Sequence, residues 1–337
     1  MKRILIASMM VLSLAVGFSA CKSMSQNDSA AKDLNATGDA AQGLPQGCRP
    51  LSSLGWIRTF RQALDGGKLQ LRVGIANAVG HPRGDILYLT GFADRLDNHQ
   101  PLFNAWTQAG FRVISFDYPS HGETCGSNIN LYKFGDLAKL AGYVESITRE
   151  DATRSLILAG WSTGGLLAAR ILQGLPYSGR PIAGAILFSP GIDVYPLVGE
   201  HGTVTQATLT NNPHPPHLGT ITPTSPLATP LFAADLLLNA TLSRSETLST
   251  NIPVLVFSGG DTEDVYVKSA SIRSWVLEQR SGLTPYGISC KGARHELDNE
   301  LPPVGATVRS AAADFAAFVV KGTGSFAPSQ AGPCAAY

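Results

Sequence analysis

Short apolar runs recur along the chain, separated by segments with a helical period. "DILYLT" (85–90), "RVISFD" (112–117), "SLILAGW" (155–161), "GAILFS" (184–189) and "PVLVFS" (253–258) each stop at glycine, proline or a polar residue. Continuous runs of that length suit strands covered on both faces, which means a parallel sheet. "LQLRVGI" (69–75) instead alternates apolar and polar residues, as a half-buried strand does. Between the runs, Leu131, Phe134, Leu137, Leu140, Val144 and Ile147 recur at spacings of three and four, giving one apolar stripe. Residues 164–175 and 304–320 read as further buried helices. Strand–helix alternation of this kind predicts one α/β domain, a doubly wound and mostly parallel sheet. Residues 192–251 break the rhythm. They are rich in Pro, Thr and His yet contain the apolar patch "PLFAADLLL", and a structureless loop of that length is uncommon, so they read as an inserted cap.

The run at 155–161 leads into "GWSTGG". Gly160-x-Ser162-x-Gly164 is the spacing of a strand that turns sharply into a helix, with the serine in an exposed, strained elbow. Packing alone could also ask for small residues there, so the pattern needs support from elsewhere in the chain.

The chain has 337 residues and a net charge of +1, a balance that argues against a nucleic-acid partner. Lys2 and Arg3 precede an apolar stretch from 4 to 18, and Ser19-Ala20 stand before Cys21. Residues 1–20 therefore read as a signal peptide, too short for a membrane span. The small residues before Cys21 resemble a bacterial lipobox, with Phe18 where leucine is commoner, which makes Cys21 the lipidated N-terminus. A plain secretory signal is the alternative. Residues 21–47 are Ser-, Ala-, Asn-, Asp- and Gly-rich without apolar periodicity, as in a solvated tether to a folded body at 48–337. The expected location is the cell envelope, at the periplasmic face or the outer membrane. Export leaves Cys48, Cys125, Cys290 and Cys334 in an oxidising compartment, where two disulfides are expected. Four cysteines allow three connectivities. Cys48 and Cys334 bracket the body, which favours that pair.

Four stretches carry a resemblance to a known family. "LYLTGFADRLDNHQPLFNAWTQAGFRVISFDYPSHGET" (87–124) resembles the N-terminal half of α/β-hydrolases, in the branch of monoacylglycerol lipases, lysophospholipases and serine aminopeptidases. "GWSTGG" is similar to its nucleophile elbow, "IPVLVFSGGDTEDV" (252–265) to the strand and turn that carry the acid, and "GARHELDNE" (292–300) to the stretch around the catalytic histidine. The resemblance implies Ser162 as nucleophile, Asp261 as acid and His295 as base, in the Ser…Asp…His order of this fold. Asp264 is the other candidate acid; counting residues from the strand and from Val265 favours Asp261. The resemblance further implies an oxyanion hole of the Phe92 and Thr163 main-chain N–H groups, with Thr90-Gly91 in place of the usual His-Gly.

His121 lies where the family keeps a structural His-Gly. His214 and His217 sit in the proline-rich segment without a Cys, Asp or Glu set to complete a metal site. The expected activity is cleavage of a carboxylic ester, of lysophospholipid or monoacylglycerol, through an acyl-enzyme. It needs no cofactor or metal, its partner is a lipid-like acyl substrate, and its membrane contact is the N-terminal lipid. A peptidase or amidase, and a non-catalytic binding protein on the same fold, are the alternatives.

Overall fold

Strands β3 (Gly84–Leu89), β4 (Phe111–Phe116) and β5 (Leu156–Trp161) are buried at every residue, which is why they read as mostly apolar runs. The computed structural model describes residues 48–196, 204–213, 228–248, 251–279, 285–327 and 332–337. The signal peptide, Cys21, the tether, His214 and His217 lie outside them. In chain order the remaining elements are β1 (Arg58–Leu64), β2 (Leu69–Ala76), α1 (Gln100–Gln108), α2 (Phe134–Thr148), α3 (Thr163–Leu172), β6 (Ile182–Phe188), α4 (Gln206–Leu209), α5 (Pro230–Ser245), β7 (Val254–Ser258), α6 (Ser269–Glu278), β8 (Tyr286–Cys290), α7 (Val304–Lys321) and β9 (Cys334–Ala336).

The strands form one sheet in the order β1-β2-β4-β3-β5-β6-β7-β8-β9. β4, β3, β5, β6, β7 and β8 run parallel, while β1, β2 and β9 join antiparallel at the two edges. Leu137, Val144, Leu166 and Leu167 of α2 and α3 pack on one face against Leu71, Leu89, Leu158 and Leu187. Phe103, Trp106, Val308 and Phe315 of α1 and α7 pack on the other against Ile86, Tyr88, Ile157 and Ile186. The doubly wound expectation holds, with the two antiparallel edges added.

The cysteines pair as Cys48–Cys125 and Cys290–Cys334, so the favoured Cys48–Cys334 pair does not form. The sheet order gives the reason. Cys125 bridges to Gln70 beside β2, near one edge, whereas Cys334 lies in register with Cys290 at the opposite edge. Each disulfide closes its own edge.

Between β6 and β7, within the expected insertion, α4 and α5 are tied to the body by polar contacts. Asn130 Oδ1 accepts the amides of Leu231 and Phe232 at 2.8 and 3.1 Å, which satisfies free N–H groups at the start of α5. Asp235 Oδ2 returns the favour to α2 by accepting from Phe134 N at 2.7 Å.

Candidate active site

Ser162 stands between the end of β5 and the start of α3 with φ 54° and ψ −115°. A non-glycine residue in such a conformation stores about 1–3 kcal/mol, so its surroundings must over-determine it. Its amide donates to Phe188 O, and its carbonyl accepts from the amides of Leu166 and Gly191, all at 2.9 Å. A β-carbon on Gly164 would lie 2.1 Å from Leu89 O, and one on Gly160 would lie 2.4 Å from Gly164 O. Close packing therefore requires both glycines, and that same packing presents the serine.

His295 follows β8 by a short turn and is buried. Its Nε2 lies 2.8 Å from Ser162 Oγ and its Nδ1 2.9 Å from Asp264 Oδ2. A carboxylate only accepts, so Nδ1 carries the proton and Nε2 is left to accept from the hydroxyl. Trp161 and Tyr266 flank the ring, each with its centroid 5.1 Å away. The Trp161 indole N–H also donates to His295 O at 2.9 Å.

The carboxylate beside His295 belongs to Asp264, not to the expected Asp261. After β7 the chain makes a tight turn in which Asp264 N donates to Gly260 O, 3.3 Å away. The turn carries Asp264 inward, where its Oδ1 accepts the amides of Tyr266 and Val267 at 3.0 and 3.1 Å. Asp261 is left on the outer side of the turn, exposed and paired with Arg273 Nη2 at 2.7 Å. Counting residues from the strand end misses this because a turn adds sequence without adding distance.

Phe92 and Thr163, the residues that the resemblance implies for the oxyanion hole, both line the cavity at Ser162. Among the described residues neither main-chain N–H makes another hydrogen bond. Gly91 lets this loop close on the elbow, since a β-carbon there would sit 2.5 Å from the Trp161 ring. His121 is not part of the Ser162 site. It is buried with Nδ1 2.9 Å from Pro119 O and its ring edge-on to Phe92, and burial pushes its pKa down to about 4.

The cavity encloses about 480 Å³, including its open mouth. Beyond Phe92, Val194, Val204, Leu209, Leu236 and Val267 line it, so α4 and α5 each contribute an apolar wall. Tyr266, beside the ring of His295, hydrogen bonds through its hydroxyl to Thr208 of α4. Nothing in the sequence singled out Tyr266, and Trp161 read only as packing beneath the elbow, whereas it also donates to His295 O.

Residues 80–218 match the family described as "Serine aminopeptidase, S33". Among solved structures, a monoacylglycerol lipase from Paleococcus ferrophilus is similar at 19% identity and TM-score 0.60, over 75% of this chain and 99% of that one. A soluble variant of a Saccharomyces cerevisiae monoglyceride lipase, in complex with a substrate analogue, is 16% identical with TM-score 0.62, over 82% and 99%. A thermostable carboxyl esterase from Bacillus coagulans, in complex with glycerol, is 14% identical with TM-score 0.59, over 78% and 99%. A search of curated protein sequences finds no significant match.

Proposed function

We propose that this chain, which has the α/β-hydrolase fold, is a serine hydrolase that cleaves carboxylic esters of lipid-like acyl groups, with lysophospholipid or monoacylglycerol as substrate. One observation carries the reading: an unbroken relay from Ser162 Oγ through both nitrogens of His295 to Asp264.

A serine hydroxyl is a weak nucleophile at neutral pH and needs a base within hydrogen-bond reach. His295 Nε2 takes the proton as Oγ attacks the ester carbonyl, and Asp264 stabilises the imidazolium and keeps its tautomer. The Phe92 and Thr163 amides hold the oxyanion of the tetrahedral intermediate, and losing one such donor costs about 3 kcal/mol. Collapse expels the alcohol, which takes the proton from His295, and leaves an acyl-enzyme. Water, deprotonated by the same imidazole, then releases the acid. The valine and leucine walls suit the acyl chain.

The family match favours a second reading, an aminopeptidase. Such an enzyme needs an anionic group for the free α-ammonium of its substrate. Among the described lining residues no carboxylate is offered, and Asp264 faces His295. The lining supports the ester.

The test incubates wild type and Ser162→Ala with a fluorophosphonate probe and with p-nitrophenyl esters of graded chain length. Labelling and ester turnover that vanish with the serine are expected. Absence of labelling in the wild type would overturn both enzyme readings, and labelling with release only from aminoacyl substrates would favour the peptidase.

The two disulfides also support export, and a lipid on Cys21 would bring the cavity to a membrane surface. Partitioning of the full chain into detergent, lost in Cys21→Ser, is the expected result; unchanged partitioning would remove the anchor.

A further inference from the structure

Behind the relay lies a buried charged cluster that the proposed chemistry does not use. His99, just before α1, is fully buried. Its Nε2 lies 2.8 Å from Asp94 Oδ2 and its Nδ1 3.0 Å from Asp298 Oδ2. Glu296 Oε1 is 4.0 Å from Nδ1, and the Tyr88 hydroxyl is 3.1 and 3.3 Å from the two nitrogens. The ring also packs against Phe103 and Trp161.

Carboxylates accept hydrogen bonds but do not donate them, so a ring with a carboxylate at each nitrogen requires a proton on both. Burial alone would favour the neutral ring. It is outweighed by Asp94 and Asp298, and the pKa of His99 is held well above the usual histidine range. Asp94, His99 and Glu296 also lie close enough together to approach a metal ion. A metal requires a deprotonated imidazole nitrogen, whereas both nitrogens here face carboxylate oxygens.

Each carboxylate belongs to a segment that carries part of the site. Asp94 Oδ2 accepts the Gly91 amide at 3.1 Å, one residue before Phe92, and its Oδ1 accepts from Asn98 Nδ2 at 2.7 Å. Glu296 follows His295 directly, and Asp298 lies just beyond it on the same segment. Asn299 Nδ2 links the same two segments, donating to Asn98 O at 2.8 Å and to Glu296 Oε1 at 2.9 Å.

We propose that His99 is a permanently charged imidazolium and a positioning residue, tying the loop that presents the Phe92 amide to the loop that presents His295. Its consequence for turnover rests on the ester-hydrolase reading; its charge does not. Ordered oxyanion donors and base depend on the two loops keeping their spacing, and a misplacement of about 1 Å can reduce rate by about a hundredfold.

The experiment records histidine side-chain 15N spectra of the wild-type protein from pH 6 to 9, assigned with His99→Gln. Two protonated ring nitrogens that do not titrate over that range are expected at His99. A neutral or titrating His99 would overturn the proposal. In parallel, kcat, KM and the rate of fluorophosphonate labelling are measured for His99→Gln and, should that variant melt without a cooperative transition, for Asp298→Asn. The expected result is a fall of about 10- to 100-fold in kcat and in labelling rate, with KM within about threefold of wild type. A folded variant with wild-type kcat and labelling would sink the positioning role. If wild type turned over no ester, the functional reading would fail, while the spectra and labelling rates would still decide this one.

Discussion

Trp161 donates its indole N–H to the main-chain carbonyl of His295 at 2.9 Å, so the strand that leads into Ser162 is pinned directly to the loop that presents the imidazole. The same ring fills the space that a side chain on Gly91 would take. One residue thus sets the spacing of three segments around the serine.

Trp161→Phe keeps an aromatic ring and removes that donor, leaving a buried carbonyl without its partner at a cost of about 1–3 kcal/mol. The expected outcome in steady-state kinetics is a roughly tenfold lower kcat with KM nearly unchanged, because the imidazole is misplaced while the acyl walls remain.

Asp264 and Asp261 separate cleanly by substitution. Asp264→Asn leaves His295 Nδ1 without a charged acceptor, and kcat is expected to fall by about 10⁴. Asp261→Asn loses only an exposed pair with Arg273 and is expected to stay within about twofold. A larger effect at Asp261 would show that the acid is misplaced here.

Ser162→Gly removes the nucleophile and the backbone strain together, whereas Ser162→Ala leaves φ at 54° with a β-carbon still in place. Calorimetry is expected to find Ser162→Gly more stable than Ser162→Ala by about 1 kcal/mol, or roughly 2 °C in Tm. Both variants should be inactive.

His121 gives the fold an acid-sensitive element. Burial lowers its pKa to about 4 from 6.5, so between those values the unfolded chain binds a proton that the folded chain does not. Its contribution is fully present above about pH 6.5 and is lost as pH falls toward 4, by roughly 3 kcal/mol in all. Denaturant titrations of wild type and His121→Asn are expected to show a steeper loss for wild type across that window. Parallel profiles would remove the assignment.

Local pattern exposed the central sheet well, because a strand covered on both faces is mostly apolar, as β3, β5 and β7 are apart from buried Asp85 and Ser258. The edges were harder to read. β1 is only half buried, and β8, "YGISC", mixes apolar and polar residues; neither carries the apolar run that marked the others. Leu131, read as the start of the α2 stripe, is instead 74% exposed, because the helix begins at Phe134.

From the sequence alone came the strand–helix order and the turn of Ser162 between its two glycines, and the family resemblance pointed to His295, Phe92 and Thr163. These are local properties of period, turn chemistry and motif, written in neighbouring residues. Which aspartate meets the imidazole, which cysteines pair, and that His99 sits between Asp94 and Asp298 came only from the tertiary structure. Those are distances between segments far apart in the chain, and they exist only after the sheet order and the turns have closed.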